Sequence, residues 1–142
     1  MTIAELMSRR LVCVDLDAPV TRVQELFADH HCHHVLVVER GRLRGVISDR
    51  DVLRAVSCFA GSLAEQRRDE ATTKTKAHQL MARRIVAILP DATPDEAARV
   101  LLENGISCLP VLDDSGHLLG VITWRDLLRA LVGAAESLPR GL

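Results

Sequence analysis

Apolar residues along this chain fall into short unbroken runs separated by stripes at helical spacing. Leu11, Val12, Cys13 and Val14 form one run, and Ile85, Val86, Ala87 and Ile88 form another. Runs of this length read as short apolar strands. A turn follows each, marked by Pro19 and Pro94. Val20, Val23, Leu26 and Phe27, and later Ala97, Ala98, Leu101 and Leu102, then recur on one face of a helix. Pro94 suits the first turn of the second of these helices. The runs Val35 to Val38 and Leu109 to Leu112 read as strands. A polar turn at Gly41, or at Asp113 to Gly116, leads to a further strand ending at Ile47 or Ile122. A last helix begins at Ser48 or Thr123. The predicted order is β-α-β-β-α, twice.

The residues themselves repeat. Positions 45–56, from Gly45 to Val56, return as 120–131, from Gly120 to Leu131, and eight of the twelve are identical. Three more exchange Ser for Thr or Val for Leu, so only Asp49 against Trp124 differs in kind. The 75-residue offset carries back to Gly41 and Gly116, whereas Leu6 to Arg10 matches Leu80 to Arg84 at an offset of 74. Assigning the slip to the Pro-marked turn between Asp17 and Val23 pairs His31 with Ile106, His34 with Leu109 and Val35 with Pro110. One such unit buries too little apolar surface to stand alone. The expectation is an α/β (α+β) fold in which two pseudo-symmetric β-α-β-β-α repeats pack sheet to sheet as one module. Repeat 1 covers residues 1–57, a linker 58–76, repeat 2 residues 77–133 and a C-terminal tail 134–142. Residues 64–71 are good helix formers, so the linker reads as a partly helical tether or as a lid over a site.

Composition narrows the choice of function. Lys and Arg number 18 against 19 Asp and Glu, giving a formal net charge of −1. That excludes a strongly basic nucleic-acid footprint. Aromatics are 2%, too few for stacking platforms on single strands. No apolar stretch approaches the ~20 residues that span a bilayer, and the N-terminus lacks the apolar core of a secretory signal. The four cysteines form no Cys-x-x-Cys pair, so no structural zinc framework is present. These features predict a cytoplasmic protein that engages neither nucleic acid nor membrane. No nucleophile elbow, phosphate-binding Walker loop or His-Glu-x-x-His motif occurs, and the expectation is a non-enzyme.

Ser48-Asp49-Arg50-Asp51 and Thr123-Trp124-Arg125-Asp126 each place a hydroxyl at a strand end and an acid three residues on. One reading is a helix cap, with the acid reaching back. The other uses the same geometry for a ligand. Unpaired N–H groups at a helix start suit a phosphate, and a carboxylate one turn in suits a vicinal diol. Arg50 and Arg125 lie beside it, and guanidinium suits phosphate.

The run Ile106-Ser-Cys-Leu-Pro-Val111 followed by Gly116-His-Leu-Leu-Gly-Val-Ile-Thr-Trp-Arg-Asp126 resembles a cystathionine β-synthase (CBS) domain. His34 to Val38 with Gly45 to Asp51 resembles a second. The resemblance implies a tandem CBS pair, or Bateman module, binding adenosyl compounds (AMP, ADP, ATP or S-adenosylmethionine) in clefts between its repeats. By carry-over, Asp51 and Asp126 hold ribose hydroxyls, and Ser48 and Thr123 bond phosphate or sugar. Val12 and Val86, with His34-Val35 and Leu109-Pro110, enclose the base. Arg10 and Arg84 meet phosphates or simply face solvent. The ligand is regulatory, and no cofactor is required. Family members also pair through helix faces, so Val52, Leu53, Val56, Leu127, Leu128 and Leu131 are candidates for a homodimer contact or for internal packing. With no effector domain attached, the expected output is in trans on an unknown regulated protein.

Two alternatives stand beside that reading. The module is a ligand-free dimerisation or interaction scaffold, its acids only capping helices. Or the string His30-His31-Cys32-His33-His34 makes it a metal or redox sensor. Imidazole and thiolate are metal ligands, but neighbours running from a helix into a strand point apart, and no metal site is assigned. Trp124 either covers a base or anchors its helix. Its replacement of Asp49 makes the two junctions chemically unequal, so anionic nucleotides are expected to favour the Thr123/Asp126 side.

Overall fold

A computed structural model describes residues 1–57 and 74–136. The predicted helical stretch at 64–71, its possible lid role, Cys58 and the end of the tail lie outside the described residues. Among the described residues the elements are, in chain order, α1 Ile3–Leu6, β1 Cys13–Val14, α2 Val20–His30, β2 His34–Glu39, β3 Arg42–Ser48, α3 Asp49–Ser57, α4 Ala77–Leu80, α5 Pro94–Asn104, β4 Cys108–Leu112, β5 Leu118–Thr123 and α6 Trp124–Glu136. Two compact units contain them, one spanning Leu11–Ile85 and the other Met1–Arg10 with Val86–Leu142.

In the Leu11–Ile85 unit the sheet order is β1-β2-β3, with β1 parallel and β3 antiparallel to β2. Val35, Val37 and Ile47 point into a core completed by Val14, Val20, Val23, Leu26, Val52 and Ala77. Along β3 Leu43, Gly45 and Ile47 are buried and Arg42 and Arg44 exposed, the alternation of a strand, while on β2 Val35, Leu36 and Val37 are all buried. A two-residue turn joins β2 to β3, with Arg40 at φ 51° and Gly41 at φ 77°. Two successive positive φ values match the twist of a tight hairpin. Ala77, at the start of α4, lies in this core, and Ala82 bridges to Val46 on the free edge of β3.

The other unit has a two-stranded sheet, β4-β5, and different local chemistry. Thr93 caps α5 by accepting from the Glu96 N–H, while Glu96 reaches back to the Thr93 N–H at 2.7 Å. Pro94 follows at the first helical position, and Gly105 ends the helix at φ 62°. β4 and β5 form a hairpin around Asp113, whose side chain accepts from the N–H groups of Ser115 and His117 at 2.9 Å. Leu109, Val111 and Ile122 form the core with Ile88, Ala97, Leu101 and, from the chain start, Ile3 and Met7. Ser8 bridges to Val121 through two bonds of 2.9 Å.

Each Leu-Met segment therefore docks on the sheet whose strands come from the other sequence repeat. Gly45 and Gly120 make the docking possible. A Cβ at Gly45 would lie 2.7 Å from the Met81 sulfur and 2.8 Å from the Ala82 carbonyl oxygen. At Gly120 it would lie 2.6 Å from the Met7 sulfur and 2.8 Å from the Ser8 carbonyl oxygen.

Two local expectations are corrected. α2 and α5 have equal length, and each ends in a left-handed residue, His31 or Gly105. The 74-residue offset thus persists through the helix into the next strand. His34 on β2 faces Ser48, as Cys108 on β4 faces Thr123, so His34 corresponds to Cys108, Val35 to Leu109 and Leu36 to Pro110. The slip to 75 lies in the hairpin turn, between Val38/Leu43 and Leu112/Leu118. An apolar run looks the same when shifted by one residue; only the alternation of faces settles its register. The second correction follows. Leu36 donates to the Val12 carbonyl at 2.9 Å, but Pro110 has no N–H to give. The run from Ile85 to Ile88 is accordingly no strand, and it joins β4 through a single parallel bridge, Ile88 to Val111.

Candidate functional site

The end of β3 and the start of α3 meet at Ser48, and β5 meets α6 at Thr123. In both junctions the acid accepts from the backbone and the hydroxyl of the residue three positions before it. The Ser48 N–H and hydroxyl donate to Asp51 Oδ2 at 2.8 and 2.9 Å, and the Asp51 N–H returns a bond to Ser48 Oγ at 3.2 Å. The Thr123 N–H and hydroxyl each donate to Asp126 Oδ2 at 2.8 Å. At Ser48 the reciprocal capping box is complete, with Asp doing what Glu usually does, whereas at Thr123 the bonds are those of the acid reaching back. Asp126 Oδ1 lies 3.5 Å from Arg129. Both acids are half-buried, and each is held in one orientation by bonds across its junction.

The residues around these junctions differ. In the first, the His33 ring Nδ1 lies 2.8 Å from Asp49 Oδ2, joining the entry of β2 to the first turn of α3. The Asp49 N–H also donates to the His33 carbonyl at 3.0 Å. The His33 ring beside Asp49 holds its carboxyl below the usual range. His34 is half-buried opposite Ser48. Burial lowers its pKa, against the pull of Asp49 and Asp51. In the second junction Trp124 is 47% exposed, and the Arg125 guanidinium sits 5.5 Å from its ring centre, a cation–π arrangement. Cys108 takes the place of His34 and is buried. Burial pushes its thiol up to about 12, and the Asp126 carboxylate adds to the shift.

The fourteen sequence candidates divide evenly between the units. Val12, His34, Val35, Ser48, Arg50, Asp51 and Arg84 lie in the Leu11–Ile85 unit. Val86, Leu109, Pro110, Thr123, Arg125, Asp126 and Arg10 lie in the other. Arg10 and Arg84 are thus each separated from the strands of their own sequence repeat. Both are exposed, as are Arg50 and Arg125. Val12 and Val86 are half-buried, Val35 and Leu109 are fully buried in the cores of their units, and Pro110 is fully buried outside both. The His33–Asp49 pair and the placement of Cys108 opposite Thr123 were not legible in the sequence, because both depend on the corrected register. Among the described residues no three His, Cys, Asp or Glu side chains gather as metal ligands. The string from His30 to His34 runs from a helix end through a left-handed turn into β2.

Among the described residues no helix is long and apolar enough to cross a membrane. Over nearly its whole length the chain is similar to the CBS domain-containing protein DDB_G0289609 of Dictyostelium discoideum. The two are 31% identical over 139 residues, 96% of this chain and 95% of that protein. The crystal structure of CBSX2 in complex with AMP has 26% identity and a TM-score of 0.79, over 94% of this chain and 98% of that one. The CBS domain pair of MJ0100, crystallised with 5′-methylthioadenosine and S-adenosyl-L-methionine, matches with a TM-score of 0.78 over 94% and 98%. Its identity of 21% speaks to the fold alone. The CBS domain family model matches twice, at residues 3–58 and 77–133. Both repeats of this chain are CBS domains, and the protein belongs to that family.

Proposed function

We propose that this protein is a non-catalytic regulatory module that binds an adenosyl compound and acts in trans on a partner protein. The observation that carries the reading is the doubled junction, with a fixed carboxylate and a hydroxyl at the same place in each unit. Likeness to CBSX2, which binds AMP, supports the ligand class. Asp51 and Asp126 hold ribose hydroxyls through the oxygen their caps leave over, and Ser48 and Thr123 present sugar or phosphate contacts. Arg84 with Arg50, and Arg10 with Arg125, supply positive charge for phosphate. Val12 and Val86 give the adenine an aliphatic wall. The buried Val35, Leu109 and Pro110 offer it backbone more than side chain. The ligand shifts a conformational equilibrium that the partner reads.

The chain pairs with a second copy through exposed apolar residues of its last helices. Leu53, Leu128, Leu131 and Val132 are exposed, whereas Val52 lies in the core of the Leu11–Ile85 unit and Leu127 packs against the core of the other unit. Val56 lies outside the described side chains. The ligand-free scaffold is favoured by a different observation, since each carboxylate already satisfies its own cap. A thermal-shift panel separates the two. An adenosyl compound at 100 times its Kd stabilises a module that binds it by about 2.7 kcal/mol, and a flat response across AMP, ADP, ATP and S-adenosylmethionine identifies the scaffold.

A further inference from the structure

The two hairpins turn with opposite charge. Between β4 and β5 the turn is carried by Asp113 and Asp114, ahead of Gly116. Between β2 and β3 it is carried by Arg40 and Gly41, and Arg42 and Arg44 follow on either side of buried Leu43. Arg83 and Arg84 join them. The antiparallel bridge from Ala82 to Val46 lays the segment after α4 along the edge of β3. Arg84 comes two residues after Ala82 and Arg44 two residues before Val46, so this register brings both to the same stretch of edge. All five arginines are exposed. Glu39 is the one acid within 39–44 and 82–84. We infer that the β2–β3 hairpin is a docking surface for a short, extended, acidic segment of a partner protein. The inference gives the partner of the regulatory reading its chemistry, and it needs no nucleotide.

Folding does not ask for these side chains. Arg40 sits at φ 51°, where a tight hairpin turn prefers Asn, Asp or Gly. A long side chain held at positive φ costs stability, and such positions gather where function needs them. Arg42 and Arg44 are two residues apart, about 7 Å along a strand, and an extended segment presents alternate side chains at the same repeat. Arg44 shows that a carboxylate fits here. Glu39 Oε1 lies 3.1 Å from its guanidinium, with both side chains open to solvent. One such acid leaves the cluster well short of neutral. Arg83 donates to the His78 carbonyl at 3.4 Å, which accepts the bond without cancelling the charge. A nucleic acid is a poorer match. The chain as a whole carries a net charge of −1, so a long polyanion meets no continuing basic track. Segments 39–44 and 82–84 also hold no aromatic residue on which a base could stack.

The probe is a fluorescein-labelled peptide of alternating Glu and Ser, about eight residues long, titrated with the full chain and read by anisotropy. A Gln/Ser peptide and an oligothymidylate of the same length are the comparisons. The Glu/Ser peptide is expected to bind tightest, and more weakly at about 300 mM than at about 50 mM salt, as screening requires. Arg40→Asn and Arg42→Thr are each expected to lower its affinity about two- to fivefold, the range of an exposed ion pair. Arg99→Ser, which removes an exposed arginine of α5, is expected to leave it unchanged. Arg40→Asn is also expected to hold or raise the melting temperature, because Asn suits the turn, so its lost affinity is not lost folding. Failure of the Glu/Ser peptide to bind, an equal loss in Arg99→Ser, or tighter binding of the oligothymidylate overturns the inference. A flat adenosyl panel beside a bound peptide overturns the nucleotide reading alone.

Discussion

Asp51 and Asp126 do one structural task each, and they do it with one oxygen. Oδ2 is committed to the cap at 2.8 Å in both junctions, so a ligand diol meets a carboxylate already oriented. The neighbours then divide the two sites. Asp49 puts negative charge beside the first, and the stacked Trp124–Arg125 pair puts an aromatic face and positive charge beside the second. At neutral pH, Asp126→Ala is therefore expected to weaken AMP binding several-fold more than Asp51→Ala does; equal losses in calorimetric titration contradict this. Cys108 supplies a pH prediction. Its thiol ionises near 9.0 in the ordinary case and near 12 when folded. A raised thiol pKa stabilises the fold while the unfolded thiol is protonated, and that stability is lost as pH rises above about 9. The urea midpoint is expected to fall between pH 8 and pH 10.5, and to fall less in Cys108→Ala.

Among the elements, the short helices α1 and α4 had no sequence expectation, and the strands were located without their register. α2 was readable from its stripe, and Thr93-Pro94 with Glu96 announces the start of α5, but the stripe read for α5 included Leu102, which is 82% exposed, while Ala97 and Leu101 are the buried positions. Their shared length, which fixes the register of the strands that follow, was not readable, because uniform apolar runs carry no phase. Pro110 was visible throughout, but its effect became clear only once it faced the first run of its own repeat. Gly45 and Gly120 are the clearest case of an element needing a residue for its neighbour's sake. Ala at either position places a methyl within 2.8 Å of a backbone oxygen. Each substitution is expected to cost about 1–3 kcal/mol, as overpacking does. Gly133 in α6 has open space around it, and Ala there is expected to stabilise by about 0.5–1 kcal/mol. Chemical denaturation of the three variants measures this, and equal effects would contradict the packing account.

The whole molecule is more interleaved than its repeats. The first ten residues belong with the strands of the second repeat, and Ala77 with the strands of the first. Ile3 is fully buried in the core around Leu109 and Ile122. Ile3→Ala is expected to cost about 2–4 kcal/mol. Hydrogen exchange should show the loss in β4 and β5, more than a hundred residues away in sequence, before it reaches β2 and β3. Protection lost first in β2 and β3 would mean that each sequence repeat folds on its own ends.

Residue order alone shows that one plan is written twice, that each copy places a hydroxyl and an acid at a strand–helix junction, and that the first junction carries a second acid where the other carries an indole; the first strand it gave to the second copy is not formed. The rest are properties of residue order, hydrophobic period and identity, and they survive any rearrangement of the parts. Tertiary structure decided which edge each Leu-Met segment completes, which residue faces Ser48 and Thr123, and that His33 closes on Asp49. Those outcomes depend on strand register and on contacts between distant segments. Within an apolar run a shift of one residue leaves the pattern unchanged, while reversing every side chain from one face of the sheet to the other.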